Sequence, residues 1–198
     1  MEEKSVPPPS LIINRAGHNG LWLGAYLSAL AVGSGLSATV PLLSLLVWAL
    51  TIYLPFYTYR IIVRGYAASD FRSRFVDLWA EGIVSYLLGS LFQALTVYIC
   101  LRFIAPGFIE TQVNTAMEIL RAAADPSTIA LADNIESIVA STGLPRPTDI
   151  AIQLVAFNII AGFVLSLFAS LAAISAYRSP EKRRRYTESH PDKNSDNR

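Results

Sequence analysis

Cysteine occurs once in these 198 residues, at Cys100, and histidine twice, at His18 and His190. A single thiol excludes an intramolecular disulfide and a thiolate metal cluster. The two histidines share no local motif, which removes most hydrolase and metalloenzyme chemistry. Charge is scarce too. Asp, Glu, Lys and Arg make up 16% of the chain, against about 25% in ordinary soluble domains, too few to clothe a water-facing surface. Serines are plentiful, yet no histidine, lysine or acid stands beside them to act as a base. Catalytic, cofactor-binding and metal-ligating constellations are all missing, so neither an enzyme nor a nucleic-acid binder nor a small-molecule site is expected.

What the chain has instead is apolar length. Hydrophobic residues make up 53%, and the mean hydropathy is +0.41. Residues 82–101 hold no acid, lysine or arginine. A helix of about 20 residues is about 30 Å long, the thickness of a hydrocarbon core. Residues 150–177 are equally bare, enough for one tilted span. Residues 16–59 form a third such run, too long for a single crossing, so the chain must turn back within it. Gly33, Gly35 and Pro41 place that turn, because glycine ends helices and proline opens them. The expected spans are 17–36, 41–62, 79–104 and 149–177. They are flanked by a flexible segment, 1–16, and by a disordered basic and polar tail, 180–198. The fold class is therefore all-α, a four-helix transmembrane bundle embedded in a lipid bilayer. The start of the chain, MEEKSVPPPS, is mixed in charge and proline-rich and does not read as a cleavable signal.

Formal net charge is only +1, but the charges are segregated. Arg60, Arg64, Arg72 and Arg74 lie between spans two and three, and Arg178 and residues 182–185 follow span four. The connection after span three mixes three arginines with six acids. Basic flanks stay in the cytoplasm, so both termini are expected inside and residues 106–147 outside. That outer segment reads as an amphipathic helical hairpin. Ile109, Val113, Met117 and Leu120 share one face of its first helix, and Leu131, Ile135, Ile138 and Val139 one face of its second. Asp125-Pro126 separates the two. Capping the bundle is the leading expectation for it, ahead of partner binding; lying on lipid would call for a more basic polar face.

Small residues recur every four positions in span one (Gly20, Gly24, Ser28) and span four (Gly162, Ser166, Ser170), as at close helix contacts. Two amides stand out, since polar groups in hydrocarbon need partners. Gln93 lies near the outer end of span three, and Asn158 near the outer start of span four. Each is roughly 12 Å below the outer surface. They are expected to face inward at similar depth and to bond one another, as interhelical glue before any polar solute path. No ionisable side chain is placed near the midplane, which counts against ion-coupled transport. Pro55 should kink span two, with Tyr53, Phe56, Tyr57 and Tyr59 as an interfacial belt.

Residues 59–75 (YRIIVRGYAASDFRSRF), the span-three segment 82–102 and the run FIAPGFIE at 103–110 carry a resemblance. Together they resemble a family of small bacterial four-span membrane proteins known only as a domain of unknown function. The likeness covers residues 17–179, and the chain departs from the simplest pattern in its longer outer segment and basic tail. It implies a bacterial inner-membrane location and transfers no catalytic residue. The function expected is that of a non-enzymatic membrane protein acting by protein or lipid contacts, with a homo-oligomer or another membrane protein as partner. The alternative is a small-solute transporter or channel formed by oligomerisation.

Overall fold

The computed structural model describes residues 9–37, 40–69, 71–123 and 125–189. Every element among them is helical: α1 (Pro9–Ser37), α2 (Pro41–Ala68), α3 (Phe75–Ile99) ending in a π-helical turn (Cys100–Ile104), α4 (Phe108–Ala122), α5 (Pro126–Thr142), α6 (Pro147–Ala176) and α7 (Pro180–Ser189). Four stretches are long and apolar enough to cross a membrane: Ile13–Ser37, Leu42–Ala68, Phe75–Ile104 and Pro147–Ala176. The chain is thus a multi-pass membrane protein. It divides into two compact units, Met1–Gln93 with Val155–Arg198, and Ala94–Leu154.

Helix boundaries depart from the charge-gap reading in a consistent direction. Residues 9–16, expected to be flexible, form the first turns of α1; proline suits a first helical turn. Gly33 and Gly35 do not break the helix, which runs on to Ser37. A Cβ on Gly33 would lie 3.2 Å from Val47 Cγ2, so this glycine serves the approach of α2. The turn falls later, and Pro41 opens α2. Pro55 lies inside α2. Tyr57 does not join a lipid-facing belt but stacks on Tyr26 of α1, with ring centroids 5.1 Å apart, while the Tyr26 hydroxyl donates to Leu50 O at 2.5 Å. Most of α2 before this point faces outward, with Leu42, Leu45, Trp48 and Ile52 all well exposed.

In the larger unit, α3 is the helix that both small-residue stripes meet. A Cβ on Gly20 would meet Leu88 Cβ at 2.8 Å and Ser85 O at 3.0 Å, and one on Gly24 would meet Phe92 Cβ at 2.8 Å and Gly89 O at 3.0 Å. On another face of α3, Gly82 lies against Ser166, and Gly162 lies against the Tyr86 ring. The stripes therefore serve contacts within one chain. Tyr86 is held by Thr58 of α2, their hydroxyl oxygens 2.6 Å apart. Thr58 donates its own proton to Leu54 O at 3.0 Å, so Tyr86 is the donor.

The tail corrects a further expectation. Residues 180–189 are not disordered but form α7. Glu181 lies in its first turn, favourable to the helix dipole, and Arg184 pairs with Glu188 at 2.9 Å, one turn on. Docking does the rest. The Tyr186 ring meets Phe71 and Tyr177 edge-on, at 6.0 and 5.4 Å. Arg183 Nε donates to Tyr177 O at 2.6 Å, and its guanidinium lies 5.8 Å from the Phe71 ring centre. Burial first, then the neighbouring Tyr59 and Tyr186, raise the Tyr177 phenol above its ordinary pKa. Phe71 reaches this position from a left-handed backbone, φ 58°, which an aromatic residue rarely adopts. Its ring contacts offset that cost. Phe71→Ala should release α7, read as faster proteolysis after Arg183–Arg185 with the spans intact; unchanged cleavage would sink this account. Residues 190–198, including His190, and residues 1–8 lie outside the described residues.

The smaller unit holds the helical hairpin. Ile109, Val113, Met117 and Leu120 are partly covered, on the face expected for α4. In α5 the covered face is Thr128, Ala132, Ile135 and Val139. Leu131 and Ile138, expected inside, are 50% and 55% exposed, whereas Ala132 is fully buried. A small residue at the crossing lets two helices approach, and the large ones rotate outward. Arg121 bridges the helices through Glu136 at 2.5 Å and Asp133 at 3.5 Å. Its bond to Glu136 first, with Asp133 beside it, raises its pKa further.

Candidate functional site

Two polar assemblies lie inside the larger unit, and only one of them was visible in the sequence. The structure brings Gln93 and Asn158 together. Both are buried, at 5% and 6% exposure. Asn158 Nδ2 donates to Gln93 Oε1, and Gln93 Nε2 donates to Leu27 O at 3.1 Å. The two amides thus form a relay from α6 through α3 to the main chain of α1. Gln93 thus accepts from one helix and donates to another. A hydrogen bond of this kind adds about 1 kcal/mol in a membrane protein. Asn158→Leu should cost about 1–2 kcal/mol in detergent unfolding, because it leaves the Gln93 carbonyl buried without a donor. The Gln93→Leu/Asn158→Leu double variant should lose less than the two singles combined. Strict additivity would show that the amides do not act as a pair.

The second assembly centres on Glu81. Charge spacing marks it only as the acid that borders the charge-free run 82–101, yet α3 begins six residues earlier, at Phe75, and Glu81 is 2% exposed. Arg15 of α1 reaches it, Nη2 to Oε2 at 3.5 Å, and donates through Nη1 to Gly65 O of α2 at 3.0 Å. One guanidinium therefore ties three helices. Gly65 leaves room for the carboxylate: a Cβ would lie 2.9 Å from Glu81 Oε1 and 3.0 Å from Oε2, so the carboxylate would have to shift. Ser85, one turn beyond Glu81, bonds Glu81 O at 2.8 Å and approaches Ala16 O at 3.4 Å. The pair is incompletely satisfied, since Arg15 Nε and Glu81 Oε1 are buried without hydrogen-bond partners. Ionisable groups within a membrane helix are rare and need a partner. The only sequence signal was that a lone acid and a lone arginine each border an apolar run.

With this geometry in view, the family can be placed. A sequence model described as "Protein of unknown function (DUF4199)" matches residues 18–173, most of the chain. The chain belongs to the DUF4199 family. The resemblance carried by residues 59–110 therefore holds at the level of the family. A comparison with curated proteins and one with solved structures both return no significant match. The DUF4199 region contains Glu81, Gln93 and Asn158, together with both glycine stripes. Arg15 lies three residues before it, and α7 lies wholly beyond it. Within the DUF4199 chain the amide relay and the ionic clasp have the same chemical character: they join helices, and neither presents a nucleophile to a cavity.

Proposed function

We propose that this chain is a non-enzymatic, multi-pass protein of the bacterial cytoplasmic membrane that works through contacts with another membrane protein. The observation that carries this reading is the interior of the helical bundle. Its amides, the Thr58–Tyr86 hydroxyls and the Arg15 guanidinium bond one another or main-chain carbonyls across helices. Such an interior suits a rigid scaffold more than a conduit. The orientation proposed has both termini and residues 60–74 in the cytoplasm, because those segments concentrate the arginines. The α4–α5 hairpin then faces outward and offers the partner surface.

The test is purification of the full chain from native membranes in mild detergent, with crosslinking beforehand. A partner recovered repeatedly in fixed ratio is the expected result. Recovery of the chain alone in every preparation would overturn the reading. So would solute flux through vesicles containing the purified chain, which would favour the oligomeric transporter instead.

A further inference from the structure

The end of the bundle that carries α7 contains a groove of about 380 Å³ between α2, the start of α3, α6 and α7. Its lining divides by chemistry. Phe75, Leu171 and Ile174 are apolar, and Arg178 and Arg183 supply positive charge, with Tyr66 and Ser175 beside them. No carboxylate is among the lining residues. Leu171 is 51% exposed, so the apolar part continues onto the outer surface of α6. Arg183 is held in place by its Nε bond to Tyr177 O and by the Phe71 ring. Its two terminal nitrogens have no hydrogen-bond partner among the described residues. Arg178 is exposed, and its side chain is likewise unpaired among them.

We infer that this groove binds the phosphate of an anionic phospholipid, with an acyl chain laid along Leu171 of α6. Two arginines, one of them pre-positioned, suit a phosphate better than a neutral group. The volume is far too small for a whole lipid, so the tails must leave it, and the exposed apolar flank of α6 gives them a path. A free phosphate would use the arginines and gain nothing from Phe75, Leu171 or Ile174. Basic residues just beyond a span are attracted to anionic lipid in the cytoplasmic leaflet. This site adds a defined pocket to that diffuse attraction. The inference rests on the membrane orientation proposed above but not on the existence of a protein partner.

Native mass spectrometry of the full chain in mild detergent tests it, with phosphatidylglycerol and phosphatidylcholine of matched acyl chains added in equal amounts. Preferential retention of phosphatidylglycerol is expected. Arg178→Gln, at an exposed position, should lower that preference about fivefold, the effect of one basic residue near an anionic surface. Lys182→Gln, which lines a separate groove with Arg185, should change it less than about twofold. Leu171→Ser should weaken retention of both lipids. Equal retention of the two lipids would overturn the inference, as would equal losses for Arg178→Gln and Lys182→Gln. Displacement of phosphatidylglycerol by excess inorganic phosphate would also overturn it, by showing that the apolar part contributes nothing. Selective retention in a chain that recovers no protein partner would leave this inference standing while the proposed function fails.

Discussion

Gly162→Ala is expected to destabilise the bundle by about 3 kcal/mol, the upper end of the range for overpacking. A Cβ at this position would fall on the Tyr86 side chain at its Cβ and Cγ, with Cδ1 at 2.8 Å. These atoms are the root of the side chain and cannot swing aside. The far end is fixed as well, because the Tyr86 hydroxyl donates to Thr58. Relief requires α3 and α6 to separate, which would also strain the neighbouring contact of Gly82 with Ser166. A control of the same chemistry comes from Gly17→Ala. Nothing lies within 4 Å of a Cβ there, so this variant should be neutral or gain up to about 1 kcal/mol from helix propensity. Unfolding in detergent micelles measures both. If the two substitutions gave equal stabilities, the close α3–α6 contact would be refuted.

Arg15→Met should cost a similar amount, about 3 kcal/mol, and the reason is asymmetry within the pair. Removing one partner of a buried pair leaves an uncompensated charge. Glu81 is the partner left behind, at 2% exposure, whereas the Arg15 side chain is 26% exposed. Glu81→Gln should therefore cost less, about 1 kcal/mol, since Arg15 retains its bond to Gly65 O and reaches the polar boundary. The double variant removes the orphaned charge and should recover about a third of the Arg15→Met loss, a coupling of about 2 kcal/mol. A glutamine substitution more damaging than the methionine one would show that Glu81, and not Arg15, holds the helices together. Additive effects would show that the 3.5 Å pair contributes nothing.

The four long apolar helices were readable because their cause is local. Hydrocarbon offers no partners to main-chain groups or charges, so charge-free length specifies a crossing helix whatever it packs against. Pro41 and Pro126 could be placed for a similar reason: each opens its helix through its own restricted backbone. That Gln93 and Asn158 lie level with each other followed from counting residues along two antiparallel helices. That they bond each other, through α3 to Leu27 of α1, is a fact of the packed structure.

Faces are another matter. A span apolar on every side has no stripe to reveal which side meets protein. Only packing decided that Gly20 and Gly24 meet α3, that Gly162 receives Tyr86, and that Ala132 rather than Leu131 lies inside the α4–α5 hairpin. Glu81 was hidden by the same logic. In sequence it borders an apolar run, and a boundary acid is expected in water. Arg15, 66 positions away, and the missing side chain of Gly65 make room for it inside. Helix α7 repeats the lesson at the end of the chain. Its residues are polar enough to be disordered alone, and Tyr186, Arg183 and the Phe71 ring, more than 100 positions apart, order them. The sequence by itself therefore determined a multi-pass membrane chain with four long apolar helices and segregated charge, because solvent exclusion acts on each segment separately. Tertiary structure decided which polar groups meet, because burial of an ion or an amide depends on a partner that only the fold brings near.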